Sequence, residues 1–174
     1  MGAVMRTLAV AAFVLLASCS APGAHALGRP GAPTPDRAAA EQVAMNADDA
    51  MRSSMADLDP RGLLAAFTGR ALEALRSRLG WMRQRELRIQ ERNPSRSMVS
   101  WDAGSLEVVI EVLAERRLLA AGRPDPPWTR ALRQWWSRLM FVEGAWRVAD
   151  QKDLPPDQWR PPLTTWVLGA GAPH

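Results

Sequence analysis

The chain has 174 residues, enough for one domain, and carries a net charge of +4 that is almost wholly arginine: of 22 basic residues only Lys152 is a lysine. Acidic and basic residues alternate along most of it, so the charge describes a mixed, solvated surface rather than a nucleic-acid footprint. Cys19 is the only cysteine, the two histidines are His25 and His174, and tyrosine is absent. That composition excludes an internal disulfide and a cysteine zinc site, and argues against a Ser-His-Asp triad or a histidine metal site in the body of the chain.

The first segment reads as an export signal. Arg6 precedes an unbroken apolar run over residues 8–17, too short to span a bilayer as a helix but suited to a signal peptide. Leu16, Ala17, Ser18 and Cys19 then resemble the bacterial lipobox. That resemblance implies that residues 1–18 are a lipoprotein signal peptide and that Cys19 is lipidated and becomes the new N-terminus. The protein would then be exported and held on the outer side of the cell membrane, with each buried methylene of the anchor contributing about 0.8 kcal/mol. Two alternatives stay open: secretion after cleavage at the small-x-small site ending in Ala26, and an uncleaved segment. Residues 19–35 are rich in Ala, Gly and Pro, and are expected to be a disordered tether.

Thr34-Pro35-Asp36 reads as a helix start, with Thr34 as cap and Asp36 at the positive end of the dipole. The helix is expected to run to about Ala56, burying Val43, Ala47, Met51 and Met55. Asn46, Asp48, Asp49 and Arg52 fall off that stripe. Met45, Met51, Met55 and Met82 are expected to fill gaps in the core. Asp59-Pro60 opens a short helix through about Phe67. A longer one follows over residues 70–85, burying Leu72, Leu75, Leu79 and Met82, with Gly80 as a possible end.

From Leu87 the periodicity changes to two. Residues 87–92 alternate, Asn93-Pro94-Ser95 reads as a turn, and residues 97–102 form a second short strand. Residues 106–120 give a strong strand. Leu106, Val108, Ile110, Val112 and Ala114 point to the core, while Glu107, Val109, Glu111, Leu113 and Glu115 form a solvated face. Residues 128–150 read as a hairpin about Glu143-Gly144. Phe141 is set opposite Trp146, Leu139 opposite Val148 and Trp135 opposite Lys152 on the apolar face. On the other face Met140 lies opposite Arg147 and Arg138 opposite Ala149. Residues 153–174 form a Pro-rich tail whose Trp159 and Trp166 are expected to pack back on the domain.

Helices followed by antiparallel strands define an α+β fold. Leu139, Phe141, Gly144, Trp146, Arg147 and Val148, with Thr68-Gly69-Arg70-Ala71-Leu72 at a helix entry, resemble the NTF2-like (SnoaL-like) superfamily over residues 36–152. The resemblance implies a cone in which N-terminal helices pack on a curved antiparallel sheet around a pocket. Its enzymes place an Asp with a Tyr or His there. With no tyrosine and no central histidine, the chain is expected not to be an enzyme, and no cofactor or metal is expected.

The expected function is binding or assembly, with a protein partner or a small apolar ligand beside the membrane anchor; an exported protein is not expected to meet nucleic acid. The candidate partner surface is Trp136, Arg138, Met140 and Arg147. The alternatives are an isomerase or hydrolase using a pocket carboxylate, Asp102 or Asp150, and a structural component of a secretion or conjugation assembly in the cell envelope.

Overall fold

A computed structural model describes residues 33–160. The expected signal peptide, Cys19, most of the expected tether, Trp166 and His174 lie outside the described residues. Three helices come first: α1 (Arg37–Asp57), α2 (Leu63–Ala66) and α3 (Gly69–Gln84). Four strands follow: β1 (Leu87–Asp102), β2 (Glu107–Ala120), β3 (Thr129–Val142) and β4 (Ala145–Leu154), with a short 3-10 turn over Pro156–Gln158. The sheet is antiparallel throughout, in the order β1-β2-β3-β4. Helices packed on one face of this strongly curved sheet make the α+β cone that the resemblance implied. None of the helices described is long and apolar enough to cross a membrane.

Helix α1 is capped by Asp36, not Thr34: the Asp36 carboxylate accepts from the Ala39 amide at 2.8 Å. The stripe it buries is Ala40, Ala44, Ala47, Met51 and Met55, with Val43 at its margin. Asp48 corrects the expectation of a solvent-facing acid, because it is fully buried. Helix α3 runs straight through Gly80 and buries Ala71, Leu75, Leu79 and Met82. Met51, Met55 and Met82 are core residues and Met45 packs on their margin, as gap-filling methionines do.

The sheet departs from the expected pattern at three register shifts, two in β1–β2 and one in β3–β4. Asn93-Pro94 does not turn the chain. β1 is one continuous strand whose pairing with β2 slips between Arg92 and Ser95, and again between Met98 and Ser100. A proline lacks the N–H that a central ladder needs, and a bulge on an edge strand tolerates that loss.

In the β3–β4 hairpin, Phe141↔Trp146, Met140↔Arg147 and Leu139↔Val148 pair as expected. Beyond them Ala149 is an extra residue. Arg138 therefore faces Asp150 rather than Ala149, and Trp135 faces Asp153 rather than Lys152. One inserted residue shifts every later side chain of β4 by one position.

The core lies between the helices and the inner sheet face. Val108, Ile110 and Val112 of β2 meet Trp135, Leu139 and Val148 there, beneath Leu63, Phe67, Leu79 and Met82. Each such side chain contributes about 1.5–3 kcal/mol on burial. The outer face is not uniformly solvated. Val109 and Glu111 are buried, under a second small cluster of Val99, Val109 and Leu154 with Trp136 and Trp159. Trp159 packs back as expected, donating its indole N–H to the Leu154 carbonyl at 2.8 Å.

Candidate functional site

The inner side of the cone is filled. A small cavity against the inner sheet face, between Met51, Met55, Ile89 and Trp135, measures about 10 Å³, room for about one water. Two buried carboxylates, Asp48 and Glu91, reach this side, and arginines meet both. Asp48 Oδ2 accepts from Asn93 Nδ2 at 2.7 Å and from Arg96 Nη1 at 3.0 Å, with Arg52 Nε 3.5 Å away. Burial pushes the Asp48 carboxyl above the usual carboxylate range, against those hydrogen bonds and the charges of Arg52 and Arg96. Glu91, whose side chain is 3% exposed, accepts from Arg116 Nε at 2.6 Å.

Neither of these acids was singled out from sequence. Asp48 sits in a polar run on a helix, and nothing local ties it to Asn93 and Arg96, 45 and 48 residues away. The only sequence signal was the Asn93-Pro94 pair, which marks the bulge that turns Asn93 and Arg96 toward α1.

The two carboxylates expected in the pocket are elsewhere. Asp102 is exposed at the β1–β2 turn. It accepts from the Gly104 amide at 2.8 Å and the Ser105 hydroxyl at 2.9 Å. The Ser105 hydroxyl first, then the turn amides, hold its carboxyl below the usual range. Asp150 would share the face of Trp146 and Val148 in an unbulged strand. The extra residue Ala149 turns it to the outer face, opposite Arg138. Neither lines the interior cavity, so neither is placed for acid–base work there.

The candidate partner surface does fall on one face. Trp136, Arg138 and Met140 alternate along β3, and Arg147 pairs with Met140. Trp136 is half-buried rather than exposed. Arg138 lies 5.3 Å and Lys152 5.1 Å from the centre of its ring. Trp136, Arg138, Lys152, Leu154, Gln158 and Arg160 line a shallow groove of about 430 Å³, with Glu107 at its edge. Arg138 is 3.4 Å from Glu107, and Arg147 is 3.1 Å from Glu143. Lys152 and Arg160 were missed from sequence because the shifted register of β4, and the return of the chain after Pro155, bring them there. The groove offers an aromatic floor in Trp136, one apolar side chain in Leu154, three cations and the Glu107 carboxylate, a set suited to binding by contact and charge.

The intermembrane-space region of the chloroplast protein ARC6 superposes on this chain with a TM-score of 0.63 at 16% identity, over 70% of this chain and 98% of that one. This chain shares its fold. A putative polyketide cyclase from Xanthomonas campestris pv. campestris aligns with a TM-score of 0.38 at 16% identity, over 66% of this chain and 90% of that one, too loosely to argue from. No protein-family model and no curated protein matches the sequence significantly. At such identity a shared fold carries no function with it.

Proposed function

We propose that the chain is an exported lipoprotein, anchored through Cys19, whose cone is a non-catalytic binding or assembly domain for a protein partner. The observation that carries this reading is the contrast between the two sheet faces. The inner cavity of about 10 Å³ has no room for a substrate or a small apolar ligand. The outer face keeps a groove of about 430 Å³ floored by Trp136 and rimmed by Arg138, Lys152 and Arg160. Trp and Arg are the residue types that dominate binding energy at protein interfaces.

Two measurements test the proposal. Cells expressing the wild type and Cys19→Ala are fractionated: the wild type is expected with membranes and the variant released. Equal release of both removes the anchor. A photo-crosslinking residue at position 140 is expected to give adducts that Arg138→Glu abolishes, whereas a crosslinker at Arg76, on the exposed side of α3, gives none. Equal yields from both positions remove the outer face as the contact surface.

A further inference from the structure

The small inner cavity brings together three polar atoms that find no hydrogen-bond partner in the protein. Trp135 of β3, Arg52 of α1 and Glu91 of β1 all line it. The Trp135 indole nitrogen Nε1, the Arg52 Nε and the Glu91 Oε1 are each buried and unpaired among the described residues. Trp135 is 7% exposed and the Glu91 side chain 3%. Buried polar atoms are nearly always hydrogen-bonded, and leaving one unmet costs about 1–3 kcal/mol.

The other atoms of the same groups are taken. Arg116 Nε donates to Glu91 Oε2 at 2.6 Å, which leaves Oε1. Arg52 Nη2 is paired with Asp49, and its Nη1 donates to the Glu91 main-chain carbonyl at 3.4 Å, which holds Arg52 against β1. Arg133 stacks on the Trp135 ring, its guanidinium carbon 4.4 Å from the ring centre, and so fixes the indole in place.

We propose that this cavity is a site for one ordered water molecule, held by Trp135, Arg52 and Glu91, which ties β3, α1 and β1 together. The volume of about 10 Å³ admits one water and nothing larger. The donor count fits as well. A water oxygen accepts two hydrogen bonds, here from the indole N–H and the Arg52 Nε–H, and one of its O–H bonds donates to Glu91 Oε1. The second O–H is left to the thioethers of Met51 and Met55, which are weak acceptors. A metal cation is disfavoured by Arg52, Arg78 and Arg116, which also line the cavity, and an anion by the Glu91 carboxylate. A neutral molecule that both donates and accepts is the one that meets all three atoms. This site lies on the opposite sheet face from the Trp136 groove and does not depend on it.

The test is NOE and ROE spectroscopy between water and the isotope-labelled, purified full chain. The Trp135 indole proton is expected to give a cross-peak at the water frequency with NOE and ROE of opposite sign, the mark of a water that stays longer than the protein takes to tumble. The Trp159 indole proton, which already donates to the Leu154 carbonyl, is expected to give none. Arg52→Met removes one donor and leaves Asp48 and Asp49 with Arg96, so the fold is kept while the Trp135 cross-peak loses most of its intensity. No cross-peak at Trp135, an NOE and ROE of the same sign there, or an intensity unchanged in Arg52→Met overturns the proposal.

Discussion

Asp48 offers a sharp test of how the helices are joined to the sheet. Its Oδ2 takes two hydrogen bonds from β1, while Oδ1 has no partner. Asp48→Asn keeps the volume and one acceptor oxygen. Hydrogen bonds to a charged group contribute about 1.5–3 kcal/mol and neutral ones about 1, so weakening two of them costs about 1–3 kcal/mol. Removing a buried charge offsets part of that. Arg52 and Arg96 both retain Asp49, Arg96 at 2.7 Å, so no buried cation is orphaned. The expected cost is about 1–2 kcal/mol. Asp48→Ala also leaves Asn93 Nδ2 without its acceptor and opens a void, for about 3–4 kcal/mol.

The pH dependence has a definite sign. The folded-state pKa of Asp48 is raised, so the native state takes up this proton more readily than the unfolded chain. That contribution is fully present below the ordinary value of 3.8 and is lost as pH rises through the folded pKa. Urea unfolding of wild type and Asp48→Asn at pH 7 and pH 4 should therefore show the wild-type advantage widening on acidification. An advantage that shrinks at pH 4, or an asparagine as damaging as an alanine, would refute the reasoning.

Two further outcomes follow from the packing. Asp36→Ala removes the cap of α1 and should cost about 1 kcal/mol in urea unfolding, whereas Thr34→Ala should change stability by less than about 0.5; the reverse order would relocate the helix start. Trp136→Ala should cost about 2–3 kcal/mol, well above a surface substitution, because Val99, Val109, Leu154 and Trp159 pack around it. A loss below about 1 kcal/mol would mean that this outer cluster is loose.

Much of the architecture was legible from residue spacing. The β3–β4 turn, the inner-facing run of β2 and the buried side of α3 all follow from local periodicity, which reports one residue's neighbours on its own element. The errors came where two distant segments meet. Asp48 looks like a solvated helix residue until β1 folds across it. Asp150 follows Trp146 and Val148 in perfect alternation, and only the insertion of Ala149 turns it away. Glu111 alternates with core residues as a surface acid should, yet Gln134 and the chain after Pro155 cover it: Gln134 Nε2 reaches both Glu111, at 3.0 Å, and the Arg160 carbonyl, at 2.8 Å. A bulge leaves almost no mark in composition, and it moves a candidate carboxylate from one side of a sheet to the other.

The outer edge of the sheet has a consequence for association. β4 is the last strand of an open sheet, with a side of unpaired amides and carbonyls that another chain could extend. At Val148 the segment before α3 closes that side: Phe67 bridges to Val148 in parallel, and the Thr68 amide donates to the Val148 carbonyl at 2.9 Å. Farther along, Lys152 and Asp153 put opposite charges on the strand and Pro155 ends its ladder. The β4 edge is thus interrupted at Val148 and ended at Pro155, which leaves only short stretches of it for another strand to extend.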